Sequence, residues 1–298
     1  MADERETDAA NTGAGPARIA VDGIGIAYEL LGREGDPPVA LTPGGRFAMT
    51  TPGLRELALA LVTGGRRVLL WDRPNCGLSD ICLTGESESE MQAEALAGLI
   101  RALELGPTVI AGGSGGARVS MLAAARHPEI CSHLALWWIS GGPIGLMQLA
   151  TYYCGEAATL ASASGIKAVL GAQSWAGQFD VNPAARDAMC QVDANRFIAV
   201  MQKWAAAYAP CDLSPVPGMG PADFARLTMP ILLFRSSASD LSHPRATSEW
   251  VHRLLPHARF IDPPWGDSEW NDRSATPEKG LFTSWPRLAP NLLDFLGR

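Results

Sequence analysis

The residues best placed to do chemistry lie in Gly112-Gly113-Ser114-Gly115-Gly116, a Gly-x-Ser-x-Gly pentapeptide that follows the apolar run Thr108 to Ala111. A stretch with helical patterning, Gly115 to Arg126, comes directly after it. A serine at the apex of a strand-to-helix turn sits in a strained backbone, and small residues two before and two after it let neighbouring chain pass close by. Its hydroxyl stands out over the sheet edge. The Gly115 N–H, at the start of a helix, is positioned to stabilise a developing oxyanion. The chemistry implied is nucleophilic attack on a carbonyl carbon. A Gly-rich turn without function has the same five letters, so the flanking strand and helix carry the reading. A phosphate cradle does not fit, because there is no Gly-Lys-Ser/Thr and no acidic residue spaced for a ribose. A serine hydroxyl is a poor nucleophile until a neighbour takes its proton. The groups to consider are the five histidines, His127, His133, His243, His252 and His257, and nearby carboxylates.

Positioning that serine requires a sheet. Ala17 to Val21 and Ile24 to Leu30 flank Asp22-Gly23, a two-residue signal for a tight hairpin. Short apolar runs then alternate with longer amphipathic stretches: Val39 to Thr42, a helical Pro52 to Thr63, Val68 to Trp71, a helical Glu88 to Leu105, then the elbow itself. That alternation is the pattern of parallel strands joined by crossover helices. After a further strand at Leu134 to Ile139, the stretch from Gly142 to Ala225 becomes rich in Ala, Met, Trp and Tyr. Its segment Ala194 to Tyr208 carries Phe197, Val200, Met201 and Trp204 at helical spacing, so it reads as a helical insertion. The α/β rhythm resumes with Ile231 to Phe234, a helix over Pro244 to Leu255, a strand at Ala258 to Ile261 and a closing helix over Arg287 to Leu296. The expected organisation is a flexible tail over residues 1–18, a core from 19–141 and 226–298, and a helical insertion over 142–225.

Composition narrows the function. A chain of 298 residues that is 47% hydrophobic buries a large core without disulfide or metal staples. A net charge of -7 argues against nucleic acid, and apolar runs such as Ile231 to Phe234 are far shorter than the ~20 residues of a bilayer span. Met1 to Arg18 holds no apolar secretory core. Six scattered cysteines without a CxxC pair fit reduced thiols, so the expected location is the cytoplasm. Histidines and acids do not fall at metal-ligand spacing, and no cofactor fingerprint appears. The expected partner is a small molecule rather than nucleic acid or membrane, with homodimer formation left open. Three lysines (Lys167, Lys203, Lys279) among the 24 basic residues, with abundant Ala and Gly, hint at a GC-rich bacterial gene.

Three further segments belong with the elbow. They are Leu41-Thr42-Pro43-Gly44-Gly45-Arg46, Trp71-Asp72-Arg73-Pro74-Asn75-Cys76-Gly77-Leu78-Ser79-Asp80, and Ala125-Arg126-His127-Pro128-Glu129. With Ser114 they make the chain resemble the α/β-hydrolase fold family from about Ile19 to Leu296. The resemblance implies an α/β architecture, a mostly parallel sheet flanked by helices, with the insertion as a helical cap. It implies that Gly45, in the loop where the family usually has His-Gly-x and this chain has Pro43, gives the second oxyanion N–H. It also implies a triad in the order nucleophile, acid, histidine. Asp240 stands at nearly the expected place of the acid, after Ile231 to Phe234. The histidine is missing from its usual position, since Phe260 to Trp270 contains none and Asp267 holds about its place.

The other histidines divide by location. His127 ends a helix, His133 and His257 sit at strand starts on the wrong sheet edge, and His252 lies inside an amphipathic helix. His243 lies three residues beyond Asp240, in a loop at the edge where this fold collects catalytic groups. It is the candidate base, with a plain lead-in to the helix at Pro244 as the alternative. Asp267 or Glu269 is the alternative base, made more basic by burial among Trp265 and Trp270.

For the substrate, Arg46 beside Gly45 suits a carboxylate or carbonyl, or else a surface salt bridge. Trp138, Trp204 and Trp265 are the aromatic candidates for pocket walls, although most cap aromatics read as the cap's own core. A site roofed by aromatic and Met side chains suits a small apolar or aromatic molecule. The expected activity is hydrolysis of an ester, lactone or related carbonyl bond through a serine nucleophile. The alternative is a non-hydrolytic enzyme of the same fold, of lyase or cofactor-free type, or a ligand-binding protein with an incomplete triad.

Overall fold

The computed structural model describes residues 16–297. Most of the tail expected over residues 1–18 therefore lies outside the described residues. Its last two residues do not belong to a tail, because Ala17 and Arg18 pair with Tyr28 and Ala27 in the first hairpin. β1 (Ala17–Val21) and β2 (Ile24–Leu31) are joined by Asp22 and Gly23, whose φ values of 49° and 80° give the two positive angles that a tight two-residue hairpin requires.

The other strands are β3 (Pro38–Thr42), β4 (Arg67–Trp71), β5 (Thr108–Gly113), β6 (Cys131–Trp137), β7 (Ile231–Phe234) and β8 (Arg259–Ile261). They form one 8-stranded sheet in the order β1-β2-β4-β3-β5-β6-β7-β8. β1, β2 and β4 pair antiparallel; from β4 through β8 every pairing is parallel. The central strands are apolar along most of their length because both faces are covered. Their side chains still sort with period two: Leu69 and Trp71, Ile110, Leu134 and Leu136 enter one core layer, while Val68 and Leu70, Ala111, Ala135 and Trp137 enter the other.

Helices α1 (Leu54–Thr63), α2 (Glu88–Ala102) and α3 (Gly115–Arg126) cross between successive strands. α1 packs Leu54, Leu57 and Leu61 into the second layer; α2 and α3 pack Leu96, Leu99 and Leu122 into the first. The insertion between β6 and β7 contains α4 (Pro143–Ala150), α5 (Glu156–Ser164), α6 (Gln173–Val181), α7 (Pro183–Cys190), α8 (Ala194–Ala206) and α9 (Pro221–Arg226). It has its own apolar cluster running from Leu146 to Tyr208 around Trp175, Phe197, Met201 and Trp204. Val216, Met219 and Phe224 belong instead to the layer on α2 and α3, so the end of the insertion packs as part of the core.

The chain closes with α10 (Arg245–Leu254), α11 (Glu269–Ala275) and α12 (Ala289–Phe295). Pro244 caps α10 from just outside it rather than occupying its first turn, and a 3-10 turn over Trp285–Leu288 takes the start of the expected closing helix. α11 has no periodic apolar signal of its own, since none of its residues is fully buried.

Candidate active site

Ser114 ends β5 and caps α3 with φ 57° and ψ -126°, a conformation that costs a non-glycine residue on the order of 1–3 kcal/mol. The turn is tight because chain passes directly beneath it. A methyl on Gly116 would lie 2.1 Å from the Thr42 carbonyl oxygen, and one on Gly44 would lie 2.6 Å from Ser114 Cβ. The β3 loop and the elbow are thus pressed together, and only glycine fits at those contacts.

The loop after β7 brings an imidazole to the hydroxyl. His243 Nε2 stands 2.8 Å from Ser114 Oγ, and His243 Nδ1 stands 2.8 Å from Asp240 Oδ2. A carboxylate accepts, so Nδ1 carries the hydrogen and Nε2 is left to accept from the Ser114 hydroxyl. The other Asp240 oxygen, Oδ1, accepts the backbone N–H groups of Ser242 and His243 at 2.8 and 2.9 Å. One side chain therefore folds the loop as an Asx turn and orients the ring. Asp240 and His243 are each 2% exposed and Ser114 is 8% exposed.

Aromatic packing fixes the ring. Trp138 stacks on His243 at a centroid distance of 5.9 Å and 18°, and Trp270 meets it edge-on at 4.6 Å. Trp138 itself has φ 48° and touches Trp265, Trp270, Phe282 and Trp285. The segment after β8 thus contributes the Trp270 ring to the imidazole and the Trp265 ring to Trp138. Trp138 and Trp265, expected as pocket walls, instead form this buttress.

The remaining candidates separate. Gly45 and Gly115 come together: Gly45 N lies 3.5 Å from where a Cβ on Gly115 would be. Neither N–H has a protein acceptor among the described residues. Arg73 holds the loop from behind, its Nη2 donating to the Gly44 and Gly45 carbonyls at 3.1 and 2.6 Å. Because a trans peptide points its N–H opposite its C=O, this anchors the Gly45 N–H toward the elbow. Asp72 pins the same region by accepting from the Met49 and Leu78 N–H groups at 2.7 and 2.8 Å, while burial pushes its carboxyl above the usual range.

Arg46 does not offer its guanidinium to a ligand. Nε and Nη2 donate to Glu88 at 3.1 and 3.0 Å, Nη1 donates to Ser174 at 2.8 Å, and the group lies 3.9 Å from the Trp175 ring centroid. It ties the β3 loop to α2 and to the insertion through a buried ion pair rather than the surface salt bridge expected. Trp204 is fully buried inside the insertion's cluster and has no surface to present. Asp267 is solvent-exposed and paired with Arg245 at 2.8 Å; Glu269 is paired with Arg273 at 2.7 Å. Neither carboxylate is bonded to Ser114, because His243 fills that place.

Arg73 and Trp270 were legible only as letters within longer segments. Tyr153 was legible only as one of the insertion's aromatic residues: it sits in a π-helical turn, Thr151–Gly155, that joins α4 to α5 and lowers its phenol to 3.1 Å from the position of a Cβ on Gly115. Among the described residues no group of three or more His, Cys, Asp or Glu is arranged to hold a metal, and no helix is long and apolar enough to cross a membrane.

No protein-family model matches the chain. It is 33% identical over 121 residues to the sn-1-specific diacylglycerol lipase ABHD11 of Mus musculus, a stretch that spans 40% of this chain and 38% of the mouse protein. Solved structures align across nearly the whole chain. An enol-lactonase from Burkholderia xenovorans LB400 superposes with TM-score 0.60 at 18% identity, covering 94% of this chain and 99% of its own. The 2-hydroxy-6-oxo-6-phenylhexa-2,4-dienoate hydrolase of Rhodococcus sp. strain RHA1 gives 0.61 at 19%, covering 94% and 98%. A thermophilic esterase from Thermogutta terrifontis gives 0.56 at 19%, covering 95% and 98%. With its strand order, its single antiparallel edge and the elbow at the end of β5, the chain has the α/β-hydrolase fold.

Proposed function

We propose that this protein hydrolyses an ester, lactone or related carbonyl bond of a small apolar or aromatic molecule, with Ser114 as nucleophile, His243 as general base and Asp240 as the group that orients it. The observation that carries the reading is the 2.8 Å contact between His243 Nε2 and Ser114 Oγ. That separation is within reach of direct proton transfer. As the Ser114 Oγ–C bond forms, the hydroxyl proton moves to Nε2 and the carbonyl π electrons move to oxygen. The resulting oxyanion receives the N–H groups of Gly45 and Gly115. Collapse expels the leaving group, which takes the proton from His243, and water repeats the sequence to release the acid.

Names of the relatives support a hydrolytic role, being a lactonase, a dienoate hydrolase, an esterase and a lipase. A histidine bonded to the nucleophile supports the hydrolytic reading over a ligand-binding protein with an incomplete triad. An apolar cavity of about 410 Å³ lined by Leu241, Pro244 and the first turn of α4 lies beside the loop that carries His243; Ser114, Gly45 and Gly115 are not among its lining residues. A cytoplasmic location belongs to the same proposal; all six cysteines are free thiols.

The test is turnover of short p-nitrophenyl esters. The expected result is hydrolysis that falls by about 10⁴-fold or more in Ser114→Ala. Equal turnover by the variant contradicts the assignment.

A further inference from the structure

We infer that the cavity between α4, the 210–215 loop and α10 is a second ligand site, separate from Ser114, for a neutral apolar molecule that carries one hydroxyl or carbonyl group. The inference goes beyond the hydrolytic reading and does not depend on it. At about 410 Å³ the cavity falls within the ~300–1,000 Å³ of small-ligand sites. Its concave form suits a small molecule rather than the flat face of another protein.

The walls are stiff and poor in hydrogen-bond donors. Pro143, Pro210, Pro215 and Pro244 all line the cavity. Each fixes its own φ and has no N–H to offer. On one side α4 is pressed against the loop that carries His243: the Gly141 N–H donates to the Ser242 carbonyl at 3.3 Å, and a methyl on Gly145 would lie 2.7 Å from the Leu241 carbonyl oxygen. The rim is apolar as well. Ile144 and Leu241, both on the lining, are 55% and 59% exposed, and Met147 and Leu213, each next in the chain to a lining residue, are 65% and 67% exposed. Large apolar side chains left in water at one place mark a binding surface. Water in such a cavity finds few partners, so an apolar molecule that displaces it is favoured.

Two polar groups set the head of the ligand. Thr247, in the first turn of α10, lines the cavity and is 4% exposed. Its N–H donates to the Pro244 carbonyl at 2.9 Å, but its hydroxyl has no hydrogen-bond partner among the described residues. An enclosed hydroxyl left unpaired is unfavourable, and a hydroxyl or carbonyl on the ligand supplies the missing partner. Asp212 is the only charged side chain among the described lining residues. Its carboxylate repels an anionic head, so an alcohol, phenol or ketone fits where a fatty or aromatic acid does not.

The experiment is quenching of tryptophan fluorescence by p-bromobenzyl alcohol, with p-bromobenzoate as its anionic counterpart. Bromine quenches an indole only in near contact, and Trp250 lines the cavity. The expected result is saturable quenching by the alcohol, bound at least about tenfold more tightly than the acid, with most of that quenching lost in Trp250→Phe. Ala246→Phe, at an exposed position on the lining, places a ring in the cavity and should weaken binding of the alcohol by about tenfold or more. Thr247→Val keeps the shape of the side chain and removes the hydroxyl; a weakening of about threefold or more is expected. Ser114→Ala should bind the alcohol as the wild-type protein does. The inference is overturned by quenching that does not saturate, by equal affinity for alcohol and acid, by quenching that survives Trp250→Phe, or by affinity that survives Ala246→Phe. Loss of binding in Ser114→Ala places the alcohol at the nucleophile and overturns it too, and unchanged affinity in Thr247→Val overturns the part given to the hydroxyl. The readout is binding, so the site stands or falls separately from ester hydrolysis.

Discussion

Two loops leave the same edge of the sheet, one after β7 and one after β8, and they divide the work unexpectedly. The β7 loop holds Asp240 and His243, the acid and base of the proposed mechanism, both buried. The β8 loop, where the family resemblance places its histidine, holds the exposed Asp267 paired with Arg245 and, on α11, the Trp270 ring against His243. Proton transfer depends on where a nitrogen lies relative to Ser114 Oγ, not on which loop delivers it. A three-residue spacing makes delivery from β7 feasible, because Asp240 can bond the backbone N–H of His243 and its ring at once. On the proposed mechanism the second loop contributes packing rather than a proton acceptor.

Changes in the two loops should therefore differ greatly in effect. His243→Ala is expected to lower kcat by about 10⁴-fold, and adding Asp267→His should restore nothing, since that side chain points to solvent. Recovery of activity in the double variant, measured by ester turnover, breaks the comparison. Asp240→Asn keeps the shape of the turn but lets the imidazole adopt the wrong tautomer; a loss of about 10³–10⁴-fold in kcat is expected with circular dichroism unchanged. Trp270→Ala removes a ring from the imidazole's edge. A destabilisation of about 2–4 kcal/mol by chemical denaturation is expected, with a loss of kcat well short of that in His243→Ala. Asp267→Asn breaks an exposed ion pair and should leave both the rate and its pH profile unchanged, with stability altered by under about 1 kcal/mol. A changed acid limb in that variant would return Asp267 to the mechanism.

What could be read from the letters follows from how local each interaction is. The unbroken apolar run Val68 to Trp71 shows as a strand buried on both faces, and the Gly pattern around Ser114 shows as an elbow, because both are set by residues within a few positions. The pairing of Asp240 with His243 is local in the same way, the two being three apart in one loop. Arg46 was not. Its partners Glu88 and Ser174 lie 42 and 128 residues away, and nothing near Arg46 distinguishes a buried tie from a ligand contact. The approach of Tyr153 to Arg118 and Gly115 depends on a π-helical turn that joins two regular helices without a breaking residue at its start. Trp138 at positive φ is held by five aromatic neighbours from four segments, and α11 by contacts rather than by its own periodicity. Long-range packing decides these features, so pattern and propensity are silent on them.

Covalent capture by a fluorophosphonate tests the central claim most directly, because it reports the nucleophile and its activation without any guess at the substrate. Mass spectrometry of the wild-type protein should find a single adduct, on Ser114, and His243→Ala should remain essentially unlabelled over the same interval. Labelling of His243→Ala at the wild-type rate, or an adduct on another residue, would contradict the account.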